Sequence, residues 1–227
     1  MKRYLLGMLL LLGNMAVADY KAVGNVARKY VKWRQKEGLF SSVGCRYMNG
    51  MMVDSAIAWK LDAKKSPYYT ANKAYYDSLV QRYAQDVEQK VLAPMYIQYV
   101  SDVVGYGVKA LKPIEKDDFI GIYAGELRPM RHVDHAIPEN VVYAWYYLDD
   151  APNGQRMIVD GEYMGNELRF INHDEKPNTG RVDVIVHNRW YICYVALRDI
   201  AKDEELTISY GTDYWLSRGI SPELIKK

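Results

Sequence analysis

The chain of 227 residues is predicted to adopt an α+β fold, a helical N-terminal region followed by a β-rich domain of many short strands. Three observations predict it. Between Thr70 and Leu92 the residues Tyr76, Leu79, Val80, Tyr83, Val87 and Val91 recur on one helical stripe. From Met95 onward the pattern changes to short β-rich runs divided by turn residues. An apolar content of 49% in a chain of this length supports one good-sized core.

The elements follow in order. Lys2 and Arg3 precede an uncharged, Leu-rich run from Tyr4 to Ala18 that ends Ala16-Val17-Ala18. A basic start, a short apolar centre and an A-x-A ending form the pattern of a cleavable secretory signal. The run is too short to span a bilayer comfortably; a buried first helix is the alternative. Residues 1–18 are set aside from the fold, and the chain is expected to be exported with no membrane-spanning segment once they are removed. Asp19 to Glu37 reads as a helix, with Val23, Val26, Ala27, Tyr30 and Val31 on one face and Gly38 as its stop. Lys21, Arg28, Lys29, Lys32, Arg34 and Lys36 give the other face a basic character. A solvated surface explains that face, and a patch for an acidic partner or membrane is the alternative.

Residues 38–50 read as a loop, and Met51 to Leu61 as a short helix ended by Lys64-Lys65-Ser66-Pro67. The Thr70–Leu92 helix closes at Pro94. Residues 19–94 therefore form one helical region. The expected strands are Met95 to Val100, Val108 to Leu111, Phe119 to Tyr123, Asp183 to Val186 and Trp190 to Ala196. Glu115-Lys116-Asp117-Asp118 and His187-Asn188-Arg189 are turns. The β-rich domain spans 95–218, and 219–227 is a short tail.

Composition narrows the chemistry. A net charge of +2 and a pI near 8.3 give no support to direct nucleic-acid binding. Cys45 and Cys193 are too few for four-thiolate zinc sites or a disulfide framework. Cys193 reads as a buried thiol within a strand, with a bridge to Cys45 as the alternative. His132-Val133-Asp134-His135 has half a metal site's spacing but no clear third ligand, so no metal is assigned.

The most chemically informative stretch is Gly165-Asn166-Glu167-Leu168-Arg169-Phe170-Ile171-Asn172-His173-Asp174-Glu175-Lys176-Pro177-Asn178. An apolar run delivers an Asn-His pair into a turn, and the Asn amide can donate and accept at one position. Taken alone it also reads as an ordinary strand followed by an Asx turn. Glu204-Glu205-Leu206-Thr207-Ile208-Ser209-Tyr210-Gly211 follows downstream. Gly105-Tyr106-Gly107-Val108 and Tyr123-Ala124-Gly125-Glu126 precede both. In this order the stretches resemble the signature motifs of the SET-domain protein lysine methyltransferases, over about residues 96–218.

That resemblance implies small curved sheets with a C-terminal pseudoknot, and methyl transfer from S-adenosylmethionine to a lysine of a protein substrate such as a histone tail. It makes Tyr210 the catalytic tyrosine and sets Tyr123 across the lysine channel. Asn172 and His173 would hold the cofactor's polar groups, supported by Arg169. Gly105 and Gly107 would admit it closely, Tyr106 would lie against it, and Trp215 would cover its adenine. Tyr143, Tyr146, Ile208 and Tyr214 would line the substrate channel. Ile208 occupies the position that helps set how many methyl groups fit, and leaves the product open. The family's cysteine-rich segment after the last motif has no counterpart in Ser221-Pro222-Glu223-Leu224-Ile225-Lys226-Lys227.

Between His132 and Asn178 nine acids face three bases, so an acidic surface beside the channel would attract a basic peptide. The alternative function is a non-catalytic SET scaffold that binds a basic peptide or partner protein. Export separates the chain from a cytosolic cofactor, and delivery into a host cytosol or nucleus would reunite them.

Overall fold

The computed structural model describes residues 33–58, 60–102, 104–131, 142–151, 153–216 and 218. The expected signal segment, most of the first helix, the His132–His135 pair and the tail from 219 lie outside these residues.

Helix α1 (Trp33–Ser42) runs through Gly38, the expected stop, because Leu39 and Phe40 are buried on its inner face. It ends at Gly44, whose φ of +68° lets Cys45 N–H donate back to the Phe40 carbonyl at 2.8 Å. The chain then enters strands β1 (Arg46–Tyr47) and β2 (Met51–Val53) before a single turn of helix, α2 (Ser55–Ala58). The expected helix from Met51 is thus corrected. Met51–Val53 instead pairs in parallel with Gly125–Leu127, and that pairing overrides local propensity.

Helix α3 (Pro67–Ala71) is capped by Ser66 and followed by α4 (Lys73–Glu88). Asn72, at φ −132°, breaks what the stripe predicted as one helix. Leu79, Tyr83 and Val87 of α4 are buried, as the periodicity requires.

The strands that follow are β3 (Met95–Ser101), β4 (Gly105–Ala110), β5 (Phe119–Ile122), β6 (Gly125–Pro129), β7 (Ala144–Tyr146), β8 (Met157–Asp160) and β9 (Met164–Gly165). A 3-10 turn, Glu167–Phe170, leads to β10 (Asn172–His173). β11 (Thr179–Val186), β12 (Arg189–Ala196), β13 (Glu205–Ile208) and helix α5 (Thr212–Leu216) complete the described chain. The β11–β12 hairpin turns on His187 and Asn188, at φ +48° and +60°, the geometry of a tight hairpin turn.

Among the described residues these strands form four small sheets: β1–β9, β10–β13–β4–β3, β11–β12–β5 and β2–β6–β8–β7. Alternation along β12 decides what packs where. Trp190, Ile192, Tyr194 and Ala196 enter the main core, while Cys193 and Val195 join Leu79, Tyr83 and Val87 of α4 in a second one. Cys193 and Cys45 are both buried free thiols, and burial raises the pKa of each.

The C-terminal strand is gripped twice. β10 pairs with it in parallel, and Asn178, 1% exposed, receives Thr207 N–H on its Oδ1 at 2.8 Å while its Nδ2 donates to the Glu205 carbonyl at 2.8 Å. Thr179 Oγ1 donates to the Thr207 carbonyl at 2.8 Å. Both ends of the 172–179 segment are thereby fastened to β13, the contact a C-terminal pseudoknot needs.

Candidate active site

The parallel pairing of β10 with β13 sets Asn172 opposite Thr207 and His173 opposite Ile208, two residues before Tyr210. The turn ahead of β10 is fixed first. Asn166 Oδ1 accepts Leu168 N–H at 3.3 Å and its Nδ2 donates to the Ile122 carbonyl at 2.8 Å. Leu168, Phe170 and Ile171 are buried beneath it.

Tyr210 is held at both ends. Its backbone N–H donates to His173 Nδ1 at 3.1 Å, and its hydroxyl donates to the Ile171 carbonyl at 3.0 Å. Its ring lies 5.4 Å from that of His173 and 4.7 Å from that of Tyr214. Trp215 lies nearly parallel to Tyr210, at 6.1 Å and 20°, and also meets His173 edge-on at 4.9 Å. Burial drives the Tyr210 phenol well above its ordinary range, and the phenols of Tyr214, Tyr194 and Tyr143 and the Glu205 carboxylate push the same way. Burial also lowers the His173 pKa, against the opposing pull of Asp174, the Ile208 carbonyl and Glu175. The neutral imidazole is the form in which Nδ1 can accept from Tyr210.

Asn172 Nδ2 donates to Glu205 Oε1 at 2.9 Å and to the Tyr106 carbonyl at 3.2 Å. Gly107 makes room for this. A Cβ there would sit 2.8 Å from Glu205 Oε1, 2.9 Å from Val100 and 3.1 Å from Asn172 Nδ2. The glycine therefore admits the amide–carboxylate pair itself, a more local duty than the expected approach to a cofactor. Gly105, at φ +79°, faces open space. The Tyr106 ring packs edge-on against Phe170 at 5.8 Å and Tyr99 at 5.6 Å.

A second aromatic group adjoins the first. Tyr123, 4% exposed, donates its hydroxyl to the Tyr143 carbonyl at 2.6 Å and stacks on Tyr194 at 5.8 Å. Trp145 stands edge-on to both rings, and its Nε1 donates to the Tyr194 hydroxyl at 2.7 Å. Burial raises the Tyr123 phenol well above its usual range, and Tyr194 and Tyr210 contribute. Tyr123, just past β5, and Tyr210, two residues past β13, thus share one electrostatic neighbourhood.

The other expected positions have these surroundings. Tyr146 is 53% exposed beneath Arg156, because strand alternation turns Trp145, not Tyr146, toward Tyr123. Ile208 is 2% exposed and packs in the main core. Arg169 braces the frame: its Nε donates to the Gly161 carbonyl at 2.9 Å and its guanidinium lies 3.9 Å from the Tyr143 ring centre. Trp145, Tyr194, Glu205 and Asn178 were not singled out from the sequence. Glu205 and Asn178 lie within the 204–211 and 165–178 stretches, while Tyr194 carries no signal beyond that of a strand tyrosine.

The order of these groups matches a known domain. The SET domain family model matches residues 105–211. Residues 105–211 have the SET-domain fold. The histone-lysine N-methyltransferase EZH2 of Chaetomium thermophilum is 32% identical over 134 residues, 56% of this chain and 8% of that protein. The H3 lysine-9-specific histone-lysine N-methyltransferase dim-5 of Neurospora crassa is 31% identical over 145 residues, 55% of this chain and 43% of that one. The chain thus spans less than half the length of these curated relatives. Among solved structures, ATXR5 in complex with histone H3.1 mono-methylated on R26 matches with a TM-score of 0.58 at 19% identity, covering 76% of this chain and 84% of that one. The last likeness establishes the SET fold alone.

Proposed function

We propose that this chain is a protein-lysine N-methyltransferase that uses S-adenosylmethionine. The observation that carries the reading is Tyr210 fastened to His173 and Ile171 beside an Asn172 that is itself anchored by Glu205. The residues present fit such a donor. Asn172 spends its Nδ2 on Glu205 and Tyr106, leaving Oδ1 to accept from a donor ammonium. Gly105 borders open space, and Trp215 Nε1 is buried without a hydrogen-bond partner. S-adenosylmethionine, when bound, supplies the electrophilic methyl group.

The chain's own residues do the rest. A lysine must be neutral to attack, and at pH 7 removing its proton costs about 4.6 kcal/mol. Tyr123, Tyr194 and Trp145 offer apolar walls that favour the neutral amine by desolvation. The raised pKa of Tyr210 keeps its phenol protonated near neutral pH, so it orients the amine by hydrogen bonding and does not act as its base. Histones are the substrates named for the relatives, and a basic histone tail is the proposed substrate class here. The acidic residues between 142 and 178, such as Glu162 and Glu175, support it. Export through residues 1–18, and action in a host cytosol or nucleus, are further proposals that rest on that leading sequence alone.

Incubation with labelled S-adenosylmethionine and mixed histones tests the reading. Label on lysine is the expected result; peptide binding without label would support the non-catalytic scaffold instead. Tyr210→Phe is expected to lower transfer by at least about 100-fold while sparing donor binding, and Asn172→Ala to weaken donor binding itself. Equal loss of donor affinity in both variants would contradict this division of roles.

A further inference from the structure

Helix α1 lies ahead of the SET match, and its basic face gave no reason to expect a role in the site. Lys36 is nevertheless drawn inward, with its side chain 21% exposed, and its ammonium pairs with Oε1 of Glu167, a carboxylate only 2% exposed. Glu167 opens the 3-10 turn that leads directly to Asn172 and His173. Nothing in a lysine channel or donor pocket calls for a buried acid at this point.

We propose that Lys36 and Glu167 are positioning residues, an ionic clamp through which α1 holds the turn that presents Asn172 and His173. Several contacts converge on that turn. Lys36 Nζ lies 4.8 Å from the centre of the Tyr47 ring. Phe40, one helical turn on, packs edge-on against Tyr47 at 5.1 Å and against Phe170 at 5.4 Å. Tyr47 stands opposite Gly165 in the β1–β9 pairing, and Met48 N–H donates to the Gly165 carbonyl at 2.9 Å. Burial, and after it the Glu167 carboxylate, raise the Tyr47 phenol above its ordinary pKa. Helix, strand and acid therefore meet on residues 165–170.

A carboxylate buried this deeply is tolerated only with a cation and hydrogen bonds around it. An apolar side chain would fill the space with no such requirement. What the pair adds is one register: Glu167 Oε2 has no partner, so a slip that loses Lys36 strands a whole charge. That penalty holds the turn, and with it the Asn-His pair, in one place.

The test uses the full chain carrying Lys36→Met, Glu167→Gln, both together, or Lys36→Arg. Hydrogen exchange is followed in a peptide spanning residues 166–174 and in one spanning 181–195, beside calorimetric titration with S-adenosylmethionine. Lys36→Met is expected to accelerate exchange in 166–174 selectively and to weaken donor binding by about 10- to 100-fold. Lys36→Arg is expected to restore both, and the double variant to recover part of the loss because no orphan charge remains. Equal acceleration in the two peptides, a loosened turn with unchanged donor affinity, or additive losses in the double variant would overturn the clamp. Should Lys36→Met fail to fold, Glu167→Gln carries the same comparison. The donor titration rests on the methyltransferase reading and the exchange does not. A wild-type chain that binds no donor would sink that reading while exchange at 166–174 still decides the clamp.

Discussion

Tyr210 and His173 show how much a few atoms decide. The Tyr210 N–H finds its acceptor on His173 only while the imidazole is neutral. Burial holds the His173 pKa below its ordinary value of 6.5, so folding disfavours the imidazolium. The associated stability is complete above about pH 6.5 and is lost as pH falls through the depressed folded value. Donor affinity and thermal stability are both expected to decline together below pH 6.5; Tm measured across pH 4.5–8, set against a His173→Asn variant, checks the assignment, since the variant should flatten that slope. Gly107 is equally local. Gly107→Ala would press a methyl group onto Glu205, Val100 and Asn172 within 3.1 Å. The expected cost is about 1–3 kcal/mol in chemical denaturation, with weakened donor binding, because the displaced group is the Asn172 amide.

At the scale of elements, ends and faces matter more than lengths. α1 continues through Gly38, where an added Cβ would meet nothing within 4 Å, and stops at Gly44, whose φ of +68° resists a side chain. Gly38→Ala is therefore expected to stabilise the fold by about 0.5–1 kcal/mol, and Gly44→Ala to destabilise it by about 1 kcal/mol. Urea midpoints for the two variants should move in opposite directions. The same logic separates neighbours in β7. One residue along a strand reverses the face, so Trp145 joins Tyr123 and Tyr194 while Tyr146 looks outward. A motif-level reading names the aromatic run and leaves its pleat phase open, because phase is set by pairing with β8, which lies more than ten residues on.

Among the described residues, the molecule divides its labour between two apolar clusters. The main core carries Tyr123, Phe170, Ile171, Tyr194 and Ile208, the frame of the site. The second joins α4 to the β11–β12–β5 sheet through Leu79, Tyr83, Val87, Val184 and Cys193. Leu79→Ala is expected to cost about 2–5 kcal/mol, seen as a lower Tm. Donor affinity at 25 °C is expected to hold, because the cavity opens on the far face of β12. A parallel loss of donor affinity would mean that the two cores act as one.

The sequence by itself determined the order of the proposed site residues, since Tyr123, Asn172, His173 and Tyr210 lie in short local motifs. It also determined the α4 stripe and most strands, because a repeat of 3.6 or 2 is written along the chain. Only the tertiary structure decided that Met51–Val53 is a strand, that Trp145 rather than Tyr146 faces Tyr123, and that Lys36 meets a buried acid. Each of those outcomes depends on a partner distant in sequence. The free energy of burying a group beside that partner outweighs the local preference that a stretch of residues can display alone.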